Sequence, residues 1–142
     1  MPPDDYAKQQ KIELLRRFHY NLARTEFRLG DYAAAEQNAH AAVSYRRQLP
    51  ARSMLERRAA AVDSTLLAIA LARLGHGAEA REVIEPVVQF HRSLAAIRHD
   101  NQTLKLEFIE ALYASALANP AASAAVLDEA QSLFDTLSPE MR

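Results

Sequence analysis

The chain has 142 residues, 49% hydrophobic and 25% charged, a balance that fits one globular domain with a real core. A formal charge of −1 and a pI near 6.5 argue against wholesale nucleic-acid binding, which needs a basic face. The absence of cysteine excludes disulfides and thiolate metal sites, no apolar run reaches the ~18 residues of a membrane span, and the acidic, polar opening MPPDDYAKQQ is unlike a secretory signal.

A reducing cytoplasm is therefore the expected compartment. About a fifth of the residues are alanine and only three are glycine, so helix propensity is high nearly everywhere. Arginine greatly outnumbers lysine, and with the alanine excess this suggests a GC-rich bacterial source. The expected fold is all-α.

The first helix is expected over residues 4–29, with Leu15, Phe18, Leu22 and Leu29 on one stripe and Ala23 and Phe27 on an adjoining one. Two apolar stripes imply two neighbours. Gly30 supplies a left-handed residue to end this helix, and Asp31 is a good N-cap for the next. The second helix, about 32–49, keeps small side chains at Ala33, Ala34, Ala35, Ala39 and Ala42 where backbones come close, and Pro50 interrupts it.

Ser53 to Glu56 fits a capping box for a third helix ending at Leu74, with Met54, Leu55, Val62, Leu66, Leu67 and Leu71 as apolar positions. Gly75-His76-Gly77 forms the next turn. The fourth helix, about 78–98, carries Val83, Val87, Phe90, Leu94 and Ile97 at helical spacing, and Pro86 inside it predicts a local kink. Asp100-Asn101 opens a fifth helix with Leu106, Ile109, Leu112, Tyr113, Ala116 and Leu117. Asn119-Pro120 is a cap and N1 proline for a sixth over 121–137, using Val126, Leu127, Ala130, Leu133, Phe134 and Leu137. Six helices in three antiparallel hairpins result.

Two stretches repeat. Leu67, Ala68, Leu74, Gly75, Ala78, Ala80 and Val88 fall on Leu22, Ala23, Leu29, Gly30, Ala33, Ala35 and Val43 at one constant offset, 45 residues, as from Gly30 to Gly75. A fixed period in this range marks stacked supersecondary units. These residues, with the Gly30-Asp31-Tyr32 turn and the spaced Ala35 and Ala42, resemble the tetratricopeptide repeat. A third copy follows the pattern loosely through Leu117-Ala118-Asn119-Pro120, Ser123 and Ala130. The period exceeds the usual ~34, the early aromatic is His19 or Ser64, and the closing proline is absent or late at Pro50; longer helices account for the period. The resemblance implies a right-handed stack of three hairpins, with repeats at about 8–49, 51–98 and 101–137 in a single domain.

In such repeats the first helix of each pair lines a concave groove. On helix one that face is Arg17, Tyr20, Asn21, Arg24 and Arg28, since residues three, four and seven apart lie together. Three arginines with a tyrosine and an asparagine can hold an acidic or carboxylate-ended peptide; the alternative is a solvated face with Glu13 and Glu26 as local partners. The corresponding face of helix three, Val62, Thr65, Leu66, Ile69 and Arg73, is mainly apolar, so a peptide with an acidic end and an apolar body suits the two together. It lacks the lysine and asparagine clamp of chaperone-binding family members, and a chaperone tail is not expected.

A second basic cluster gathers Arg46, Arg47, Arg52, Arg57 and Arg58 around Pro50, to meet phosphate, an acidic protein or simply solvent and acids elsewhere in space. His19, His40, His76, His91 and His99 show no i, i+4 histidine pair, so no metal is expected, and neither a phosphate loop nor a nucleophile motif suggests a cofactor or enzyme. The resulting expectation is a noncatalytic protein-interaction module, free-standing or part of a larger bacterial signalling or regulatory protein, with no nucleic-acid or membrane partner. The alternative is self-assembly through a terminal helix, because Leu127, Leu133 and Phe134 leave the last hairpin thinly covered by polar residues.

Overall fold

In the computed structural model, which describes residues 2–142, helix follows helix: α1 (Pro3–Arg28), α2 (Tyr32–Arg47), α3 (Met54–Arg73), α4 (Gly77–Ile97), α5 (Gln102–Ala118) and α6 (Ser123–Asp135). Short 3-10 turns at Pro120–Ala122 and Pro139–Met141 are the other regular elements, and no strand occurs among the described residues.

The first two hairpins are built on the same turn. After α1, Gly30 adopts φ 80°, its N–H donates to the Phe27 carbonyl at 3.1 Å, and the Asp31 N–H donates to the Glu26 carbonyl at 2.9 Å. After α3, Gly75 adopts φ 82°, with Gly75 to Ala72 at 3.1 Å and His76 to Leu71 at 2.9 Å. This is the Schellman closure, which satisfies carbonyls left over at a helix end and needs a left-handed residue. Asp31 caps α2 by accepting from the Ala34 N–H at 3.1 Å. His76, its counterpart, makes no side-chain cap.

The capping box before α3 is complete: Ser53 Oγ accepts from the Glu56 N–H at 3.1 Å, and Glu56 Oε2 accepts from the Ser53 N–H at 3.0 Å. Asn101 caps α5 through the Leu104 N–H. Asn119 does not cap α6; Pro120 starts a 3-10 turn, and α6 begins only at Ser123. Pro86 is accommodated within a continuous α4. That helix begins at Gly77, not beyond it, where a Cβ would meet the Ala118 carbonyl at 3.1 Å; the glycine lets the start of α4 close on the end of α5.

Each helix packs on the next, and α3 also packs along α5, with a lighter contact between α1 and α3. The odd helices thus share one side of a stack of hairpins. The core between rows is largely alanine: Ala23, Ala35, Ala42, Ala68, Ala70, Ala80, Ala111 and Ala114 are fully enclosed, with Leu67, Leu71, Ile84 and Leu112 as its large side chains. Positions related by the repeat share their burial, as in Ala23 and Ala68, Ala35 and Ala80, and Val43 and Val88.

Several expected apolar positions are instead exposed: Phe18, Leu29, Met54, Leu55, Ile97, Leu127 and Phe134. The reason for α1 is topological. α1 has α2 along one side and only light contact with α3, so Phe18 and Leu29 of its first stripe face solvent while Leu15 and Leu22 stay half-buried. His19 stacks on Tyr45 at 5.6 Å and donates from Nδ1 to Asn38 Oδ1 at 2.8 Å. Asn38 in turn donates to the Glu26 carboxylate, which ties α2 back to α1.

Candidate functional site

On the odd-helix side, a recess of about 240 Å³ lies between Arg16 and Tyr20 of α1, Arg58, Val62 and Asp63 of α3, and Glu107 of α5. Its charged groups are paired. Arg16 Nη1 donates to Asp63 Oδ1 at 2.7 Å and Oδ2 at 3.0 Å, while its Nε and Nη2 donate to Glu13 at 2.9 and 3.0 Å. Arg58 makes a two-pronged bond to Glu107, at 3.1 and 2.7 Å. These planar forks fix α1 against α3 and α3 against α5, the geometry at which arginine excels.

Asp63 is only 2% exposed. Burial pushes its carboxyl up to about 6, against the opposing pull of the Arg16 guanidinium. Glu13 is held below the usual carboxylate range by its bond to Arg16, and Arg16 is raised first by that same bond. Burial also raises the Tyr20 phenol, and it raises the Glu110 carboxyl with help from the Glu107 charge.

The residues expected on the α1 face divide. Tyr20 is half-buried at the recess, and the Arg24 guanidinium lies 5.7 Å from its ring centroid, a cation–π arrangement. Arg17, Asn21, Arg24 and Arg28 are exposed, and none of these arginines forms an ion pair among the described residues. They make a row along one side of α1 that the fold does not consume.

The α3 face differs from expectation at Thr65. Its side chain is buried and its hydroxyl donates to the Ala61 carbonyl at 2.8 Å; it turns into the core because Ala61, Thr65 and Ala68 form the inward stripe of α3. Ile69 is half-buried and packs on the core. Arg73 is exposed, and its Nη2 donates to Tyr113 Oη at 2.7 Å, a further tie from α3 to α5.

The basic cluster around Pro50 disperses. Arg46 points toward Glu13 at 3.9 Å with its Nε enclosed and unpartnered, Arg58 is spent on Glu107, and Arg57 reaches the Ala51 carbonyl at 3.5 Å. Among the described residues no group of three potential metal ligands is assembled.

Sequence reasoning passed over Arg16, Asp63, Glu107 and Glu110. Asp63 did carry a signal, being the one acid in the long apolar stretch from Ala59 to Ala72. An acid on the buried side of a helix requires a partner, and arginines on α1 were the available ones. No protein-family model, curated protein or solved structure matches the chain.

Proposed function

We propose that the chain is a noncatalytic protein-interaction module of tetratricopeptide-like construction, binding a peptide or partner protein with an acidic end along the odd-helix side. The observation that carries this reading is the contrast among arginines. Arg16 and Arg58 are consumed by Asp63, Glu13 and Glu107, whereas Arg17, Arg24 and Arg28 stand exposed in a row without acidic partners among the described residues. An exposed guanidinium row is suited to carboxylates, which it meets through paired N–H donors. The half-buried Tyr20, Val62 and Leu66 beside it offer apolar contact for the body of such a peptide.

The test is affinity capture by the wild-type chain and by the Arg17→Ala, Arg24→Ala, Arg28→Ala triple variant. Partners retained by the wild type and lost by the variant support the reading; a set of partners unchanged by the substitutions removes it.

A second reading, self-assembly through a terminal helix, has its own motive. No residue of α6 is buried, and Leu127 and Phe134 lie exposed on it, 45% and 39% accessible. Light scattering over a concentration series decides it: growth in mass that Leu127→Gln with Phe134→Gln abolishes favours assembly, and a strict monomer at high concentration excludes it.

A further inference from the structure

A slot separate from that recess runs between α4 and α5 and is floored by α6. Leu94 and Ala95 form one wall, Leu104 the other and Leu133 the floor, and the slot encloses about 70 Å³. That is several times the ~10–15 Å³ needed for one water, yet an apolar cavity of this kind does not hold water well. Because α4 and α5 run antiparallel, the two ends differ. At one end His91 stacks on Phe108, ring centroids 5.9 Å apart; at the other stand Arg98, His99 and Lys105.

His91 is the unexplained element. It is 2% exposed, yet its ring is offered no hydrogen bond by any described residue. His91 lines the slot, and its ring nitrogens are not among the fully enclosed, unpartnered atoms of the described residues, of which Arg46 Nε is the one. Burial holds this imidazole below its ordinary pKa, and in its neutral form it can donate one hydrogen bond and accept another without a charge in the apolar interior.

The mouth has the opposite character. Arg98 and Lys105 are cationic and form no ion pair among the described residues; Lys105 Nζ also reaches the Thr136 carbonyl at 3.4 Å, and the exposed Asp100 lies 3.2 Å from His99. Seven residues of α4 separate Arg98 from His91, about 10 Å at 1.5 Å per residue, the span of an extended chain of roughly eight carbons.

We propose that this slot binds a linear medium-chain carboxylate bearing a hydroxyl or carbonyl near its far end. The carboxylate sits between Arg98 and Lys105, the methylenes lie along Leu94, Ala95, Leu104 and Leu133, and the distal oxygen meets the free imidazole of His91. The charged mouth selects an anion, the narrow apolar shaft an unbranched chain, and the histidine a polar terminus.

The experiment is an NMR titration of the full chain with 8-hydroxyoctanoate, octanoate and octyltrimethylammonium. Saturable shifts at Leu94, Leu104 and Phe108 are expected with both acids and none with the cation. The hydroxy acid should bind about fivefold more tightly, the contribution of one neutral hydrogen bond. His91→Phe, which keeps the stack on Phe108, should erase that preference. Lys105→Glu should weaken both acids, and Ala95→Phe should fill the shaft and abolish binding. Circular dichroism checks the fold of each variant; if Ala95→Phe unfolds, His91→Phe and Lys105→Glu decide the matter. The proposal is overturned by no saturable response to the hydroxy acid, by equal affinity for the two acids, by a preference that survives His91→Phe, or by comparable binding of the cation.

Discussion

Arg16 Nη1 donates to both carboxylate oxygens of Asp63, at 2.7 and 3.0 Å, joining α1 to α3 across 47 residues of chain. Contact between these two helices is otherwise light, so this fork is the main polar tie between the first hairpin and the odd-helix side of the second. Asp63 has no other hydrogen-bond partner among the described residues, whereas Arg16 also holds Glu13.

Removing the two partners should therefore have unequal consequences. Arg16→Ala takes from the buried Asp63 carboxyl its only hydrogen-bond partner and the charge that favours its ionised form, and is expected to cost up to about 3–5 kcal/mol, the usual loss when one member of a buried pair is taken away. Asp63→Asn leaves Arg16 with Glu13 and a neutral acceptor, and should cost clearly less. A double replacement by residues of similar volume, Arg16→Met with Asp63→Leu, should recover most of the Arg16→Ala loss. Urea unfolding of the variants at pH 7.5 gives the comparison.

The same carboxyl gives a pH signature. Folded Asp63 titrates at about 6 because burial outweighs the pull of Arg16, while in the unfolded chain an aspartate titrates near ~3.9. Between these values the folded state holds a proton that the unfolded state has lost, so this residue's contribution to stability is fullest below pH ~4 and declines as pH rises through 6. The stability of the wild type relative to Asp63→Asn should thus fall between pH 4 and pH 7, by at most about 3 kcal/mol. A flat or rising difference in paired urea melts would mean that Asp63 is ionised throughout.

Gly30 and Gly75 should respond alike to substitution. Both are left-handed, and neither has an atom within 4 Å of an added Cβ, so the cost of alanine is backbone strain alone, about 1–2 kcal/mol at each position. Gly77 is different: its φ is not left-handed, but a Cβ there meets the Ala118 carbonyl at 3.1 Å. Gly77→Ala asks the α4–α5 contact to give by a few tenths of an ångström, and thermal melts read whether that cost outweighs the helix propensity that alanine adds to α4, whereas D-alanine at 30 or 75 should be tolerated.

What could be read from the sequence was what local chemistry specifies. The Gly30 and Gly75 turns, the Asp31 and Asn101 caps and the Ser53–Glu56 box each need only neighbouring residues, and the structure forms all of them. The helix count followed from these stops. Burial was less legible, because large apolar side chains were taken as core markers, and this core is made mainly of alanine. Phe18 lies on the side of α1 that no neighbouring helix covers, and Leu29 at its C-cap, a fact of topology that periodicity does not contain. Thr65 sits one helical step off the surface inferred for α3 and ends inside. Arg58 and Glu107 are 49 residues apart, and nothing local in either neighbourhood announces the pair.

The most direct measurement is an NMR titration of the isotopically labelled chain with a peptide of apolar body and acidic C-terminal end, beside its amidated, glutamine-substituted counterpart. Recognition by the exposed row on α1 predicts saturable shifts confined to α1, α3 and α5 around Arg17, Tyr20, Arg24 and Val62, produced by the acidic peptide only and lost in the Arg17→Ala, Arg24→Ala, Arg28→Ala variant. Equal shifts from the neutral peptide, shifts centred on another surface, or binding undiminished in the variant would contradict it.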